Sequence, residues 1–273
     1  MEKISVFYFK RGSKNEKRNS SENNGTMWTF IAAAIILRFF SIMVPIAGAG
    51  AMRISFAGIF IKMPAVLFGG AIGGVVSGVV DILAYIIKPM GAYIPFLTLT
   101  SILSGILTGI IWFKIKNVHI DKIEKYYPIF FMVLGSLAGA IHLMTLLLDK
   151  SFSFKIMNIL GKKYIFVLSA IEIITIFSLI VFIINIKLKD NSTVKHIYED
   201  YMKMILAIGI PGIIVCTLNT YILLMFIPGL QGKSFMFLWI PRIVEEVFMI
   251  VFESYAVSLL LRVYESVVLK ISN

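Results

Sequence analysis

The chain has 273 residues, of which 59% are hydrophobic and 15% are charged, and its mean hydropathy is +0.90. This composition excludes an ordinary soluble domain, which needs more polar surface to face water. The formal net charge of +11 does not indicate nucleic-acid binding, because lysine and arginine collect in the cytoplasmic loops of membrane proteins. Since the apolar stretches do not alternate with polar residues as barrel strands do, the sequence predicts an all-α integral membrane protein.

The predicted organisation is a basic tail followed by one transmembrane domain. Residues 1–26 are polar and basic, and we expect a loosely ordered cytoplasmic tail there and no cleavable signal peptide. Residues 27–273 contain eight apolar stretches that predict a polytopic helical bundle in the plasma membrane, with both termini in the cytoplasm because lysines dominate the intervening segments on that side. The predicted spans are 27–46, 56–69, 71–88, 95–113, 127–148, 164–186, 204–226 and 236–264.

The segment between the first two predicted spans carries one permanently charged side chain. Residues 48–59 read GAGAMRISFAGI, so that Arg53 follows a run of small residues and precedes a long apolar stretch. Small residues at 48–51 predict a mobile loop that would suit a lid over the outer face. The glycine pair at 69–70 predicts a tight turn between the second and third spans.

Small residues recur every fourth position in the third and fourth predicted spans. Such a stripe lets two helix backbones approach closely, which is how helices associate in lipid. The pattern therefore predicts tight packing between these two helices. The residues are Gly70, Gly74 and Gly78 in one span and Ser101, Gly105 and Gly109 in the other.

Eight ionisable residues lie within or close to the predicted spans. A charge at the centre of a membrane helix costs about 3 kcal/mol, so each needs a partner, a water-filled cavity or an interfacial position. Towards the outside, the basic groups Arg53, Lys62 and Arg242 outnumber the acidic groups Asp81 and Glu245, which indicates a polar pocket for an anionic organic solute. For any single residue, a structural ion pair or an interfacial position is an equally good explanation. They are Arg38, Lys62, Asp81, Glu172, Arg242, Glu245, Glu246 and Glu253.

An enzymatic function is disfavoured by the residues that are missing. The pair Glu245 and Glu246 resembles the glutamate pair of CPBP-type intramembrane proteases, but the arginine expected four positions later is Ile250. There is no HExxH motif, nucleophile elbow or Walker A sequence, and the single cysteine, Cys216, excludes a cysteine metal site. We therefore predict no enzyme, no cofactor and no metal centre. The only histidines are His119, His142 and His196.

Five short elements together resemble a known transporter family. MRISF at 52–56 opens the second predicted helix, Asp81 lies late in the third, and GAYIPFLTL at 91–99 opens the fourth. LNT at 218–220 and PRIVE at 241–245 lie in the last two helices. In order and spacing these elements are similar to those of the membrane-embedded S components of energy-coupling factor (ECF) vitamin transporters, and most similar to the folate-type branch.

The resemblance implies a fold and a division of the chain. S components have six helices, and the similarity covers residues 27–113 and 204–265. The remaining helices, in residues 127–186, would then be an inserted pair, and an even insertion preserves the orientation of everything after it. The expected fold is therefore a six-helix S-component-like core plus an inserted helix pair, eight spans in all.

The resemblance also assigns candidate residues. Arg53, below the loop that covers the substrate in S components, would hold a ligand carboxylate in a bidentate pair; an interfacial anchor bound to lipid phosphate is the alternative. Thr29 and Ala33 approximate the small-residue stripe with which the first helix docks on the coupling subunit. The candidate ligand-binding residues are Arg53, Tyr85, Tyr93, Phe96, Asn219, Trp239, Arg242 and Glu245.

The implied function is substrate binding for vitamin uptake. The chain would capture a folate-like or other small anionic vitamin from outside, and a transmembrane coupling subunit with cytoplasmic ATPase subunits would drive import. Nucleic acid is not an expected partner. A non-transporting membrane assembly or scaffold protein, with the extra helix pair as its assembly element, is the alternative from another class.

Overall fold

The computed structural model describes residues 16–46, 49–89, 91–147, 156–157, 164–187 and 192–272, and the predicted all-α architecture is confirmed. Eight helices of more than ten residues and one β-hairpin form the described chain. Residues 1–15 of the predicted tail and most of the segment 149–163 lie outside the described residues. The elements are α1 Glu16–Phe39, β1 Ile42–Ile46, β2 Ala49–Ile54, α2 Gly58–Phe68, α3 Gly70–Ile87, α4 Pro95–Ile115, α5 Asp121–Leu147, α6 Tyr164–Lys187, α7 Ser192–Phe226 and α8 Phe235–Ser272.

The helices match the predicted spans in number but not all in length. Among the described residues, five helices are long and apolar enough to cross a membrane. A helix suits this role because all its backbone hydrogen bonds are made within the segment, and lipid offers no other partner for them. In contrast, α2 has 11 residues and is about 16 Å long, roughly half of the hydrocarbon thickness. The second predicted span, 56–69, is therefore not a full crossing. Gly69, with φ +95°, turns the chain directly into α3.

The shortness of α2 creates a recess at one end of the bundle. With 11 residues against 18 in the neighbouring α3, α2 starts about 10 Å short of the level at which α3 finishes. The β-hairpin connects α1 to this recessed start. We call the end of the bundle where α1 and α3 finish the hairpin end, and the opposite one the far end.

The predicted mobile loop at 48–51 is corrected by the hairpin. Strands β1 and β2 pair antiparallel, with Met43 opposite Arg53 and a register shift between Val44 and Pro45. Proline has no N–H to donate to the ladder, which accounts for an irregularity at that point. Pairing satisfies backbone groups that would otherwise lack partners, so Arg53 lies on a hydrogen-bonded strand; residues 47–48 lie outside the described chain.

Glycines bring α3 and α4 into backbone contact, as the stripe of small residues predicts. A Cβ added to Gly105 would lie 2.3 Å from the carbonyl oxygen of Gly73. A Cβ added to Gly109 would lie 2.3 Å from the backbone nitrogen of Gly70. Any larger side chain at these positions would force the two helices apart.

At the far end, α7 begins at Ser192 and not at residue 204 as predicted, because polar contacts hold its first turns. The Lys203 ammonium donates to the carbonyl oxygen of Lys116 at the end of α4, over 2.6 Å. Asp200 forms an ion pair with Arg262 of α8. These contacts satisfy polar groups beyond the apolar part of the helix and extend it.

Helices α5 and α6 pack mainly against each other, at the side of the bundle formed by α7 and α8. A Cβ on Gly135 of α5 would lie 2.6 Å from Cγ2 of Thr175 on α6. Nearby, Nδ1 of His142 lies 3.0 Å from Oε1 of Glu172. The chain is thus a multi-pass helical membrane protein, and the assignment of residues 127–186 as an insertion stays a prediction.

Candidate functional site

A cavity of about 850 Å³ opens at the hairpin end. It is lined by the hairpin and by α1–α4, α7 and α8, and by no described residue of α5 or α6. Ser55, just before α2, and Lys62 within it are among the lining residues. The volume lies within the range of small-molecule sites, which is roughly 300–1,000 Å³.

On one wall of the cavity, a chain of polar contacts neutralises one arginine. Arg38 at the end of α1 forms an ion pair with Asp81 of α3. The second carboxylate oxygen of Asp81 accepts a hydrogen bond from Thr98 over 2.6 Å, and the Thr98 hydroxyl lies 2.9 Å from the hydroxyl of Tyr93. Because each carboxylate oxygen of Asp81 has a partner, the charge of Arg38 is compensated within the protein.

A second ion pair lies where α2 meets α8. Lys62 is bonded to Glu253, and their side chains are only 13% and 5% exposed. A Cβ on Gly58 would lie 1.8 Å from Oε1 of Glu253, so this carboxylate packs directly on the backbone at the start of α2. Removing either partner would leave a buried charge unpaired.

Arg53 differs from these pairs because its charge is not compensated by a contact. Its partly buried side chain lines the cavity and forms no hydrogen bond or ion pair with any described residue. Burial lowers the pKa of Arg53, and the charge of Arg38 acts in the same direction while that of Asp81 opposes both. A guanidinium nevertheless stays charged in proteins, so Arg53 presents five donors to an anion in the cavity.

The carboxylates of Glu245 and Glu246 also line the cavity. Neither forms a hydrogen bond or an ion pair with another residue in the part of the chain that the structure describes. Arg242 lies three and four residues earlier on α8, and it also lines the cavity. In the described residues no three His, Cys, Asp or Glu side chains converge as a metal site requires.

Two tyrosines and an asparagine complete the lining that the sequence predicts. The rings of Tyr85 and Tyr93 are 4.9 Å apart. Oδ1 of Asn219 accepts a hydrogen bond from Thr100 over 2.6 Å, which leaves its NH₂ group for other acceptors. With Arg53, Arg242 and Glu245, six of the eight candidate ligand-binding residues therefore line the cavity.

Phe96 and Trp239 are placed elsewhere. Phe96 points away from the cavity because successive helical residues face different directions; its ring packs on Phe226, with centroids 5.4 Å apart. The indole N–H of Trp239 donates to the Thr217 hydroxyl over 3.0 Å, and its ring stacks on Phe235. Phe96 therefore contacts a lining residue from outside the cavity, whereas neither of these partners of Trp239 lines it.

Six charged residues line the cavity that are absent from the predicted ligand set. Five of them could have been found, since each is an ionisable residue at membrane depth, whereas Lys88 at the end of α3 carries no such signal. They are Arg38, Lys62, Asp81, Lys88, Glu246 and Glu253.

The candidate docking residues lie on α1, away from the cavity lining. Thr29 is exposed and bonds back to the carbonyl oxygen of Gly25 over 3.0 Å. Ala33 is partly buried, whereas Ala32 is exposed and Ala34 is fully buried. The open face of α1 therefore presents Thr29 with Ala32 more fully than with Ala33.

Comparison with known proteins gives the family. The sequence matches the model of the family described as ECF-type riboflavin transporter, S component, over residues 24–188, from within α1 to just beyond α6. It is 32% identical over 89 residues to a folate transporter, FolT, from Clostridium novyi (strain NT); this alignment covers 33% of the chain and 48% of the relative, so the chain spans about half the length of that curated protein. No solved structure matches the chain. The chain belongs to the family of ECF-type riboflavin transporter S components.

Proposed function

We propose that this chain is the substrate-binding membrane subunit of an ECF-type vitamin transporter and captures a folate-like or other small anionic vitamin from outside. The observation that carries the proposal is the uncompensated guanidinium of Arg53 in a cavity of about 850 Å³. A carboxylate fits this group because the guanidinium fork matches its two oxygens. The tyrosines 85 and 93 supply flat apolar surface for an aromatic ring.

Two observations favour a folate-like ligand over riboflavin. The curated relative is named a folate transporter, and folates carry carboxylates at physiological pH whereas riboflavin is uncharged. A neutral flavin would leave Arg53 without an anion in the cavity. Charge complementarity therefore supports the anionic vitamin.

Uptake against a gradient requires energy from partner subunits. The sequence contains no Walker A motif with which to bind and hydrolyse ATP. We assign that step to cytoplasmic ATPases that act through a transmembrane coupling subunit. The open face of α1 around Thr29, Ala32 and Ala33 is the proposed docking surface for that subunit, since small residues permit close helix packing in lipid.

The test is equilibrium binding of folic acid to the purified protein in one detergent. Arg53→Ala would leave the ligand carboxylate unpaired at a cost of about 2 to 5 kcal/mol, a loss of thirtyfold or more in affinity. Arg53→Lys should recover only part of this loss, because an ammonium cannot form the bidentate pair. Lys233→Ala is the matched control, since it removes an exposed positive charge near the start of α8 that does not line the cavity.

Two outcomes would contradict the proposal. Affinity within about threefold of the wild type in both Arg53 variants, with thermal stability unchanged, would remove Arg53 from the site and leave an interfacial anchor. Failure of the wild-type protein to bind folic acid, riboflavin, thiamine, biotin or queuosine precursors would favour the membrane assembly function instead.

A further inference from the structure

We infer that the cavity takes a ligand with two chemically different ends: an anion that binds Arg53, and a nitrogen heterocycle whose N–H donors bind the carboxylates of Glu245 and Glu246. This inference rests on the proposed function and specifies how that site reads its substrate. It follows from which charges in the cavity are compensated and from where the uncompensated ones lie.

The cavity contains more charges than the protein pairs internally. Of the four carboxylates in its lining, Asp81 is paired with Arg38 and Glu253 with Lys62. Two carboxylates, Glu245 and Glu246, have no such contact with any described residue. Arg242 and Lys62 act on both carboxylates electrostatically, but no described residue donates a hydrogen bond to either one. Because a buried carboxylate without a hydrogen-bond donor is costly, a ligand that brings donors would be favoured there.

The basic groups are accounted for in the same way. Lys88 donates to the carbonyl oxygen of Phe39 over 2.8 Å, and the charges of Arg38 and Lys62 are paired with carboxylates. Arg242, which also lines the cavity, has a contact of its own. Among the described basic groups of the lining, Arg53 is left as the open donor. The described cavity therefore offers unmet donors on a strand of the hairpin and unmet acceptors on α8.

These two kinds of groups lie on different elements and at different levels. Arg53 belongs to β2, beside the ends of α1 and α3. Along α8, the lining runs from Arg242 through Glu245 and Glu246 to Glu253, a distance of about 16 Å. Because Glu253 bonds Lys62 of the recessed α2, the carboxylates lie on the deeper side of the cavity.

A glycine on α7, Gly212, leaves room for one of these carboxylates. A Cβ on Gly212 would lie 2.3 Å from Oε1 of Glu246, so the carboxylate occupies space that any other residue would fill. The Glu246 side chain is thereby held against the α7 backbone, and the nearby Lys62 is bonded to Glu253 and not to Glu246. A carboxylate fixed in this way is an oriented acceptor for ligand N–H groups.

The complementary ligand chemistry is an amidine-like edge, in which a ring N–H and an exocyclic NH₂ point in one direction. Such an edge donates two parallel hydrogen bonds to a carboxylate, as a guanidinium does. A 2-amino-4-oxopyrimidine ring has this edge, and an anionic tail at its other end would reach Arg53. A neutral flavin meets neither requirement, since it has one imide N–H and no anion.

The experiment separates the two ends with three probes. Folic acid carries both ends, p-aminobenzoylglutamate only the anion, and pterin only the heterocycle. We expect Glu245→Gln/Glu246→Gln to weaken binding of folic acid and of pterin by about tenfold or more and to leave p-aminobenzoylglutamate unaffected. Arg53→Ala should do the reverse, weakening folic acid and p-aminobenzoylglutamate and sparing pterin. The matched control, Glu172→Gln, removes a carboxylate charge on α6 away from the cavity.

Each possible result decides the matter. If the double glutamine variant binds folic acid like the wild type while Arg53→Ala does not, the inference is wrong and the proposed function stands. Equal weakening of pterin and p-aminobenzoylglutamate by the double variant would also overturn it. If the wild type binds none of the probes, both fail together. Should the double variant not fold, Gly212→Ala displaces the Glu246 carboxylate without removing it, and the same selective loss of pterin is expected.

Discussion

At the residue scale, two glycines determine where the membrane carboxylates of α8 lie. Gly58 lies under Glu253 and Gly212 under Glu246, and a Cβ at either position would overlap a carboxylate oxygen. The absence of a side chain thus brings a carboxylate onto a neighbouring backbone. The position of each charge is therefore set as much by the glycine opposite as by the glutamate itself.

This packing predicts a different outcome for two Gly→Ala substitutions. Gly58→Ala would place its Cβ 1.8 Å from Oε1 of Glu253 and force that side chain away from Lys62, at a cost of about 1–3 kcal/mol. Gly139→Ala on α5 meets nothing within 4 Å and should not destabilise, because alanine favours helix over glycine by roughly 0.5–1 kcal/mol. Thermal unfolding of both variants in one detergent makes the comparison. Equal stability of the two variants would show that the Glu253 carboxylate does not restrict the size of the residue at position 58.

At the element scale, α2 is joined to α8 by an ion pair as well as by apolar packing. The helix is too short to span the membrane, and its fifth residue is Lys62, whose partner Glu253 lies 191 residues further along the chain. Ile59 and Met63 of α2 belong to one buried apolar cluster with Ile250 and Val257 of α8. The ion pair thus connects α2 with the helix that carries three of the four cavity carboxylates.

Breaking this pair on one side should cost more than removing it. Lys62→Met leaves the Glu253 carboxylate buried and unpaired, at a cost of about 3–5 kcal/mol of stability. The double variant Lys62→Met/Glu253→Gln should regain part of that loss, because no charge is left without a partner. Denaturant unfolding of the wild type, both single variants and the double variant gives the coupling energy. A double variant as unstable as Lys62→Met would mean that the two charges are not coupled.

The elements themselves were largely predictable from sequence, while their irregular parts were not. Eight apolar runs predict eight helices because lipid leaves the backbone no other way to satisfy its hydrogen bonds. The hairpin around Met43 and Arg53 is not visible in this way, since its strands have 5 and 6 residues and no alternation of apolar and polar residues. The first turns of α7 are not visible in the sequence for another reason: Asp200 and Lys203 are typical loop residues, and their partners on other helices are known only from the structure.

The candidate site shows the same limit. Arg53 is predictable because the arginine follows small residues in an element that resembles a known family. The pairing of Lys62 with Glu253 is not predictable, since nothing in a single sequence joins residues so far apart. The sequence offers Trp239 as a ligand-binding residue because of its aromatic type, but in the structure its indole N–H donates to the Thr217 hydroxyl on α7.

At the scale of the whole molecule, the two ends of the bundle differ in how their charges are arranged. At the hairpin end, the basic groups line a cavity with Asp81 and the α8 glutamates. At the far end, contacts join α4, α7 and α8, as between Lys203 and the Lys116 carbonyl and between Asp200 and Arg262. The polar groups at the hairpin end surround a cavity that could hold a ligand, whereas those at the far end join helices to one another.

These ends predict the orientation in the membrane. Helices α1, α3, α5 and α7 run from the far end to the hairpin end and the others return, so the chain leaves α8 at the far end. Lysines concentrate there, around Lys114, Lys116 and Lys125, so the positive-inside rule predicts that the far end faces the cytoplasm. A reporter fused after residue 273 and one inserted near residue 191 should both report cytoplasm, and one near residue 154, between α5 and α6, should report the outside.

An insertion after Lys233, between α7 and α8, is the internal control for the outside. A cytoplasmic signal at 154 together with an outside signal at 233 would mean that α5 and α6 do not cross the membrane as a pair, and the six-helix count would then hold for the spanning part of the chain.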